Sequence, residues 1–379
     1  MALCWLACFA AVMIFQAGMR QGAATPDGGR NELPLNMSTA ECEVAAWDQS
    51  CRIWLSGTPA LASALMGRGH GARTYICGGN ASKVPRAQCY SRGERFRWLK
   101  RAWHLLKGTT ILLLGDSISM EHYFALLCEL REFSLLGGSE VPPLVPPRLQ
   151  IVNESGVSMH CARFEKALPS VCYAPEDALH CGLFNTIGLC PMFNKQCRLK
   201  PEVPCFKPAP PGSRGYILER LSRIFMAAAG DSRELLIVMN AGLHYSHNLT
   251  LLHDITAMQL NLFASLPQKL RPRIFWRETA AQHWNTSAGI YMGKISSRQC
   301  VNLPLSMVRD PGTSKANIFN RATEPVVSAS RDVTILRTWA QSAAFWRGHK
   351  NGDCTHYCLE SGLFDSWTDM LCQALLSKI

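Results

Sequence analysis

One stretch decides the fold of this chain: Thr110-Ile111-Leu112-Leu113-Leu114-Gly115-Asp116-Ser117-Ile118-Ser119. Its first five residues carry no charge and four of them are large and apolar, a pattern typical of a strand buried on both faces. Apolar residues then recur at helical spacing and predict a helix from residue 119 to about residue 130, on Met120, Phe124, Leu127 and Cys128. Ser117 is therefore expected at a strand-to-helix turn.

The same alternation of strand and helix patterns returns after residue 212. Short apolar runs predict strands at 235–239, 273–276 and 333–336, and periodic segments predict helices at 215–229, 255–266, 339–346 and 364–376. Strands that alternate with helices indicate an α/β layered fold with a mostly parallel sheet. Ligands of such folds bind at the carboxyl ends of the strands, where Ser117 is expected.

Composition divides the 379 residues into a large domain and smaller N-terminal segments. Residues 1–24 start with an apolar run short for a bilayer span, which predicts a signal peptide, with an uncleaved signal anchor as the alternative. Residues 25–41 are predicted to be a linker, and residues 42–100, with four cysteines, a disulfide-tied region. Residues 101–379 form the predicted main domain, with a loop-rich Cys/Pro insertion at about 140–212.

Cysteine content and glycosylation motifs both indicate the secretory pathway. The chain has 17 cysteines, and 15 follow residue 24 because only Cys4 and Cys8 precede it. Five Asn-x-Ser/Thr motifs occur, at Asn36, Asn80, Asn153, Asn248 and Asn285. Disulfides persist and glycans are added in that compartment, so a protein of the Golgi lumen or a secreted one is predicted. A cytosolic chain with reduced cysteines is the alternative.

The net charge of +11 is spread along the chain rather than gathered in runs. No zinc-finger spacing, RNA-binding motif or basic helix accompanies it, so nucleic acid is not an expected partner. A basic surface suits an acidic polysaccharide, although an ordinary solvated face explains the same charge. Cys354 and Cys358 flank His356 at spacings that zinc sites use, but an oxidising compartment favours disulfides. We predict no metal and no bound cofactor.

A second motif, Asp353-Cys354-Thr355-His356, supplies what a nucleophilic serine needs. His356 would take the proton of Ser117 as general base, and Asp353 would fix the histidine tautomer and stabilise the imidazolium. The order Ser…Asp…His and the strand-to-helix position of the serine favour acyl transfer or ester hydrolysis. Either motif alone has an ordinary structural explanation, such as a helix cap at Asp116 or Ser117.

Other polar residues follow the predicted strands and complete a candidate site. Asn240 ends the run 235–239, where its amide could join the Ser117 N–H in an oxyanion hole, although a turn asparagine is the simpler explanation. Arg277 and His283 follow the strand at 273–276 and are predicted to bind substrate, with a surface or salt-bridged set as the alternative. Three neighbours of these motifs are also predicted to bind substrate: Asp116, Gly242 and His244.

The motifs occur together in an order that resembles a known family. They are Gly115-Asp116-Ser117, Asn240-Ala241-Gly242-Leu243-His244, Arg277 with His283, and Asp353-Cys354-Thr355-His356-Tyr357-Cys358-Leu359. This set resembles the PC-esterase family, best known from the trichome-birefringence-like proteins of plants, within the SGNH/GDSL hydrolase superfamily. Arg95-Phe96-Arg97-Trp98 and residues 364–371 resemble flanking parts of that family, so the resemblance touches residues 77–379 as islands.

The resemblance implies an SGNH-hydrolase-like three-layer fold and a polysaccharide O-acetyltransferase or esterase. It implies Ser117 as nucleophile, Asp353 and His356 as its triad partners and Asn240 as oxyanion donor, with Gly156 as a guess for a further donor. The chain departs from the family at Met120-Glu121-His122, where a basic residue and an Asn-Gln pair are usual, and at Tyr357, where Trp is usual.

Three functions follow from these observations. The preferred one is a polysaccharide (cell-wall or glycan) O-acetyltransferase that works through an acyl-serine intermediate. A secreted carbohydrate O-acetyl esterase is the alternative, because only the nucleophile that reaches the acyl-enzyme differs. A non-catalytic glycan-binding protein on the same fold is the second alternative. The expected partners are an acetyl donor and a poly- or oligosaccharide acceptor, and the membrane where a signal anchor is retained.

Overall fold

A computed structural model describes residues 96–136, 147–155, 157–164, 168–175, 213–245, 248–291, 297–350 and 352–377. All of them belong to one compact unit, Thr39–Ile379. The predicted signal segment and linker, nearly all of the disulfide-tied region, residues 176–212 of the insertion and Gly156 lie outside the described residues. Within the described part of the chain, no helix has the length and apolar character to cross a membrane.

The described residues form nine strands and eight α-helices. The strands are β1 (Thr109–Gly115), β2 (Arg148–Glu154), β3 (Val157–Arg163), β4 (Ser170–Pro175), β5 (Glu234–Met239), β6 (Arg273–Arg277), β7 (Val333–Leu336), β8 (His349–Lys350) and β9 (Asp353–Tyr357). The helices are α1 (Arg97–Leu106), α2 (Ser117–Leu136), α3 (Ser213–Ala229), α4 (Leu249–Ala264), α5 (Leu305–Arg309), α6 (Ile318–Ala329), α7 (Trp339–Ala343) and α8 (Leu363–Leu376).

Seven strands make one mostly parallel sheet in the order β2-β3-β4-β1-β5-β6-β7. Strand β1 lies at the centre and pairs in parallel with β4 and β5, and the parallel pairing continues to β6 and β7. Strands β2 and β3 extend the sheet in antiparallel pairs beyond β4. Because β1, β5, β6 and β7 run in parallel, their carboxyl ends lie at one edge of the sheet.

Helices cover both faces of this sheet and make three layers. Ile111 and Leu113 of β1 pack in a core with α1, α2 and α8. Leu112 and Leu114 point to the opposite face, into a second core with α3, α4 and α6. Successive side chains of a strand face opposite sides, so a strand between two helix layers must be apolar at every position. The run that predicted a buried strand has that property at its last four residues, 111–114, and the prediction of an α/β layered fold is confirmed.

The predicted insertion is the main difference between expectation and structure. Residues 148–175 form β2, β3 and β4 of the principal sheet, and β4 lies directly beside β1. Cys161 and Cys172 are cross-strand neighbours of β3 and β4, and they are joined by a disulfide. Prolines flank β2 and β4, and cysteines lie within β3 and β4, so this sequence resembles that of a loop.

The first two helices also differ from the expectation. The proposed domain boundary at residues 100–101 falls inside α1, whose Leu99, Ala102 and Leu106 are buried in the first core. Helix α2 begins at Ser117, two residues earlier than predicted, and continues to Leu136. Residues 121–130 of α2 are all buried, so the amphipathic pattern that marks the length of a surface helix is absent there.

The described residues include disulfide-bonded cysteines and three sequons. Besides Cys161–Cys172, a disulfide joins Cys300 to Cys354 across 54 residues of sequence. Cys128 and Cys358 are also disulfide-bonded, whereas Cys372 is a buried free thiol. The three sequon asparagines that the structure describes are all exposed, as glycan addition requires: Asn153, Asn248 and Asn285.

Candidate active site

Three predicted residues form a continuous hydrogen-bonded chain at the carboxyl edge of the sheet. His356 Nε2 lies 2.7 Å from Ser117 Oγ, and His356 Nδ1 lies 2.6 Å from Asp353 Oδ2. Ser117 opens α2 directly after β1, while Asp353 and His356 both lie on β9. The Ser117 side chain is half-buried, so a substrate can reach its hydroxyl. The structure thus brings together all three residues of the predicted triad.

The protonation pattern of the triad follows from its donors and acceptors. Burial raises the pKa of Asp353, but hydrogen bonds from the His356 ring and from the backbone N–H groups of Thr355 and His356 hold it far below its ordinary value. Burial lowers the pKa of His356, but the Asp353 hydrogen bond and the charges of Glu121 and Asp353 outweigh burial and raise it. An ionised Asp353 accepts a hydrogen bond from His356 Nδ1–H. The proton thus stays on Nδ1, and the Nε2 lone pair faces Ser117.

Local backbone contacts fix the orientation of Asp353. Its Oδ1 accepts from the N–H of Thr355 at 3.0 Å and from the N–H of His356 at 3.2 Å, which leaves Oδ2 for the imidazole. The disulfide Cys300–Cys354 ties the residue between Asp353 and Thr355 to another part of the chain. The Asp353 carboxylate thus holds the backbone of β9 through one oxygen and orients the His356 ring through the other.

The start of α2 shows why the sequence needs Gly115, Asp116 and Ser117 in this order. Asp116 Oδ1 accepts from the N–H of Ile118 at 3.0 Å and of Ser119 at 3.3 Å, so Asp116 is the helix cap and Ser117 is not. A Cβ on Gly115 would lie 2.2 Å from Ser119 Oγ. The positive end of α2 therefore meets β1 closely, and the oxyanion role of the Ser117 N–H stays a prediction.

Asn240 lies at the carboxyl end of β5 as predicted, but its side chain is already engaged. Its amide nitrogen donates to the Arg277 carbonyl oxygen and to Thr279 Oγ1, both at 3.0 Å. Its Oδ1 is buried and has no hydrogen-bond partner among the described residues. Both amide hydrogens are in use, so Asn240 would have to release Thr279 to donate to an oxyanion. The oxyanion role of Asn240 stays a prediction.

Arg277 lies in the interior and not in an open pocket. It is 1% exposed, its Nη2 donates to Ser119 Oγ at 2.9 Å, and its guanidinium lies 4.7 Å from the Trp367 ring centroid. Burial lowers the pKa of Arg277 to about 10, against the charges of Asp116 and Glu121. The expected contact between Arg277 and substrate is therefore not supported by its position. From the carboxyl end of β6, Arg277 instead holds the first turn of α2 through its hydrogen bond to Ser119.

His283 is also buried, with none of its surface exposed, so its expected contact with substrate is not supported either. Its Nδ1 lies 2.6 Å from His349 Nε2, and its Nε2 lies 3.0 Å from the Ala343 carbonyl oxygen. His349 Nδ1 lies 3.0 Å from the His356 carbonyl oxygen. Burial lowers the pKa of His283 to about 4 and the pKa of His349 well below its ordinary value. These two rings support the strand that carries the base.

The remaining predicted substrate-binding residues occupy three different environments. Asp116 is buried and serves as the helix cap described above. Gly242 packs so tightly that an added Cβ would lie 2.4 Å from Thr279 Oγ1, so its role is close packing. His244 lies in a short 3₁₀ helix, Leu243–Tyr245, and is exposed. Of the three, only His244 has a side chain that a ligand in solution can reach.

Several residues that the sequence analysis did not assign also support the triad. Thr355 Oγ1 accepts from Gln282 Nε2 at 2.8 Å and from Trp284 Nε1 at 2.9 Å. Glu121, one helical turn after Ser117, accepts from the Tyr357 N–H at 3.2 Å and lies 3.1 Å from Lys350 Nζ. The available signal for Glu121 was a charged residue shortly before the mostly apolar run 123–128 of the same helix.

Known proteins add no family assignment to this geometry. No protein-family model matches the chain, and no curated protein matches it. Among the described residues, no group of three or more His, Cys, Asp or Glu side chains is arranged to hold a metal ion. Cys354 and Cys358, the two cysteines beside His356, are both disulfide-bonded.

Proposed function

We propose that this protein is an acyl-transfer enzyme in which Ser117 is the nucleophile. The observation that carries the proposal is the chain from Ser117 Oγ through the His356 ring to Asp353, with separations of 2.7 and 2.6 Å. An activated serine requires a base within hydrogen-bond reach and a group that orients the base. A buried structural serine has no need of an imidazole that is itself oriented by a carboxylate.

The reaction uses these residues in a defined sequence. Ser117 Oγ attacks the acyl carbonyl of an ester while its proton moves to His356 Nε2, and Asp353 stabilises the imidazolium. The tetrahedral oxyanion lies against the Ser117 N–H at the positive end of α2. His356 then returns the proton to the leaving alcohol, and the acyl group remains on Ser117. A second hydroxyl, activated by the same histidine, removes it.

We further propose that the acyl group is acetyl and the acceptor a polysaccharide hydroxyl. The support is the resemblance of the serine, asparagine and Asp-x-x-His motifs to PC-esterases, together with the disulfides and exposed sequons of a secretory protein. A secretory location would bring the enzyme to this acceptor, since polysaccharides are assembled and exposed in the Golgi lumen and outside the cell.

The test compares the glycosylated lumenal protein with Ser117→Ala. Each is incubated with an acetyl-ester donor, with and without oligosaccharide acceptors, while free acetate and acetylated sugar are measured by mass spectrometry. Acetylated sugar from the wild type alone would support a transferase, and acetate alone would support a secreted carbohydrate esterase. Equal background from both proteins across a broad donor panel would refute the catalytic role and favour a glycan-binding protein.

A further inference from the structure

Glu121 is a fully buried carboxylate whose contacts all belong to the strands around the base. None of its surface is exposed. Its Oε2 accepts from the N–H of Tyr357, the residue directly after His356, at 3.2 Å. Its Oε1 lies 3.1 Å from Lys350 Nζ, on the strand that pairs with β9. An acidic residue is almost never buried to this extent without a specific partner.

We propose that Glu121 is a positioning residue of the triad: it holds the backbone after His356 and supplies a fixed negative charge behind the imidazole. The inference rests on the proposed function, because it assigns Glu121 a task in the proton transfer from Ser117. Burial raises the pKa of Glu121, whereas its two partners, an ammonium group and a backbone N–H, are both donors and favour the ionised form. A negative charge at this place stabilises the imidazolium that forms when Ser117 is deprotonated.

The charges around His356 determine whether loss of Glu121 would raise or lower the pKa of His356. The charged and titratable groups that face Glu121 or His356 from neighbouring elements are Arg277 on β6, His349 and Lys350 on β8, and Asp353 and Tyr357 on β9. Burial lowers the pKa of His356, the Asp353 hydrogen bond and the Glu121 charge raise it, and Lys350 lowers it. Loss of the Glu121 charge should therefore lower the pKa of His356.

A second buried glutamate allows this role to be distinguished from ordinary structural support. Elsewhere in the fold, Glu278 makes the same pair of contacts: its Oε2 accepts from the Trp339 N–H at 2.9 Å and its Oε1 from Arg337 Nη1 at 3.1 Å. It is 7% exposed, and His356 is not among the groups that set its pKa. Glu278→Gln is therefore a control, since it removes the charge of another buried carboxylate that is bound by a cation and a backbone N–H, away from the base.

The experiment measures the pKa of His356 by deuterium exchange at its C2 hydrogen, followed by mass spectrometry, in wild type, Glu121→Gln and Glu278→Gln. We expect Glu121→Gln to lower this pKa by about one unit and Glu278→Gln to leave it unchanged. An unchanged pKa in folded Glu121→Gln would overturn the proposal, and so would an equal fall in both variants. If Glu121→Gln does not fold, Glu121→Asp replaces it: withdrawal of the carboxylate by one methylene should give a smaller fall, and no fall refutes the proposal.

A second readout separates this inference from the proposed function. Diisopropyl fluorophosphate forms an Oγ–P bond with an activated serine, fluoride leaves, and the serine proton passes to the base. The pH profile of Ser117 labelling should rise at lower pH in Glu121→Gln than in wild type, with a lower plateau because the base is weaker. A wild type without labelling would count against the proposed function, whereas the pKa comparison would still decide the role of Glu121.

Discussion

Asp353→Asn should nearly abolish acyl transfer, although it replaces only one oxygen by an NH₂ group. Oδ1 of Asp353 accepts from the Thr355 and His356 N–H groups at 3.0 and 3.2 Å. The asparagine oxygen must keep that place, because the opposite amide orientation would set NH₂ against two N–H donors. The NH₂ group is therefore forced into the place of Oδ2, 2.6 Å from His356 Nδ1, where it donates.

This forced donation reverses the histidine tautomer. His356 then carries its proton on Nε2, which faces Ser117 Oγ at 2.7 Å and cannot accept the serine proton. The imidazolium also loses its negative partner. Loss of an oriented base of this type is worth about a thousandfold to ten-thousandfold in rate, or about 4 to 5.5 kcal/mol in the activation free energy.

The assay measures hydrolysis of p-nitrophenyl acetate and labelling of Ser117 by diisopropyl fluorophosphate at neutral pH. Asp332→Asn is the control, because Asp332 has a 63% exposed side chain and lies 3.9 Å from Arg271 Nη1 in a surface ion pair. We expect the control to match wild type. An Asp353→Asn rate within about threefold of wild type would refute the assignment of His356 as an oriented base.

Two further predictions concern the supports of the site. Gly115→Ala should lower the free energy of unfolding by about 1 to 3 kcal/mol and sharply reduce Ser117 labelling, because its Cβ overlaps the first turn of α2. Gly215→Ala, in open space on α3, should instead stabilise the fold in the same denaturant titration, and equal effects would contradict the packing argument. Removal of the disulfide Cys300–Cys354, which closes 54 residues, should cost about 4 kcal/mol. Removal of Cys161–Cys172, across 11 residues, should cost about 3 kcal/mol by the same measurement, and the reverse order would count against a loop-entropy origin.

The central strand and the triad were predictable from sequence for the same physical reason. A strand covered by helices on both sides is apolar on both of its faces, and residues 111–114 show that pattern. Parallel strands then bring their carboxyl ends to one edge, so a serine after β1 and polar residues after β5 and β6 are expected to be neighbours. The motif at 353–356 could be added because a nucleophilic serine requires a base and an orienting acid.

The rest of the fold and site depended on information that the local sequence does not carry. The cysteines of β3 and β4 and the prolines around β2 and β4 resemble those of a loop until the partner strands are known. The orientation of Arg277 was not predictable, since a strand-end arginine can face solvent or pack beneath a neighbouring helix. Glu121 was missed because its partners lie more than two hundred residues later in sequence. Residues that support a site only through tertiary contacts do not form a motif of fixed spacing in the sequence.

The contacts of the two buried rings, His283 and His349, require more hydrogen atoms than the two rings carry. Three contacts link the Ala343 carbonyl, His283, His349 and the His356 carbonyl, and both ends of this series can only accept. Three hydrogen bonds need three protons, but two neutral imidazoles carry two. The lowered pKa values of both rings keep the pair neutral at ordinary pH, so one contact always lacks its proton. The His356 carbonyl is thus held only while His349 carries its proton on Nδ1, and a change to the Nε2 tautomer of His349 would break the hydrogen bond to β9.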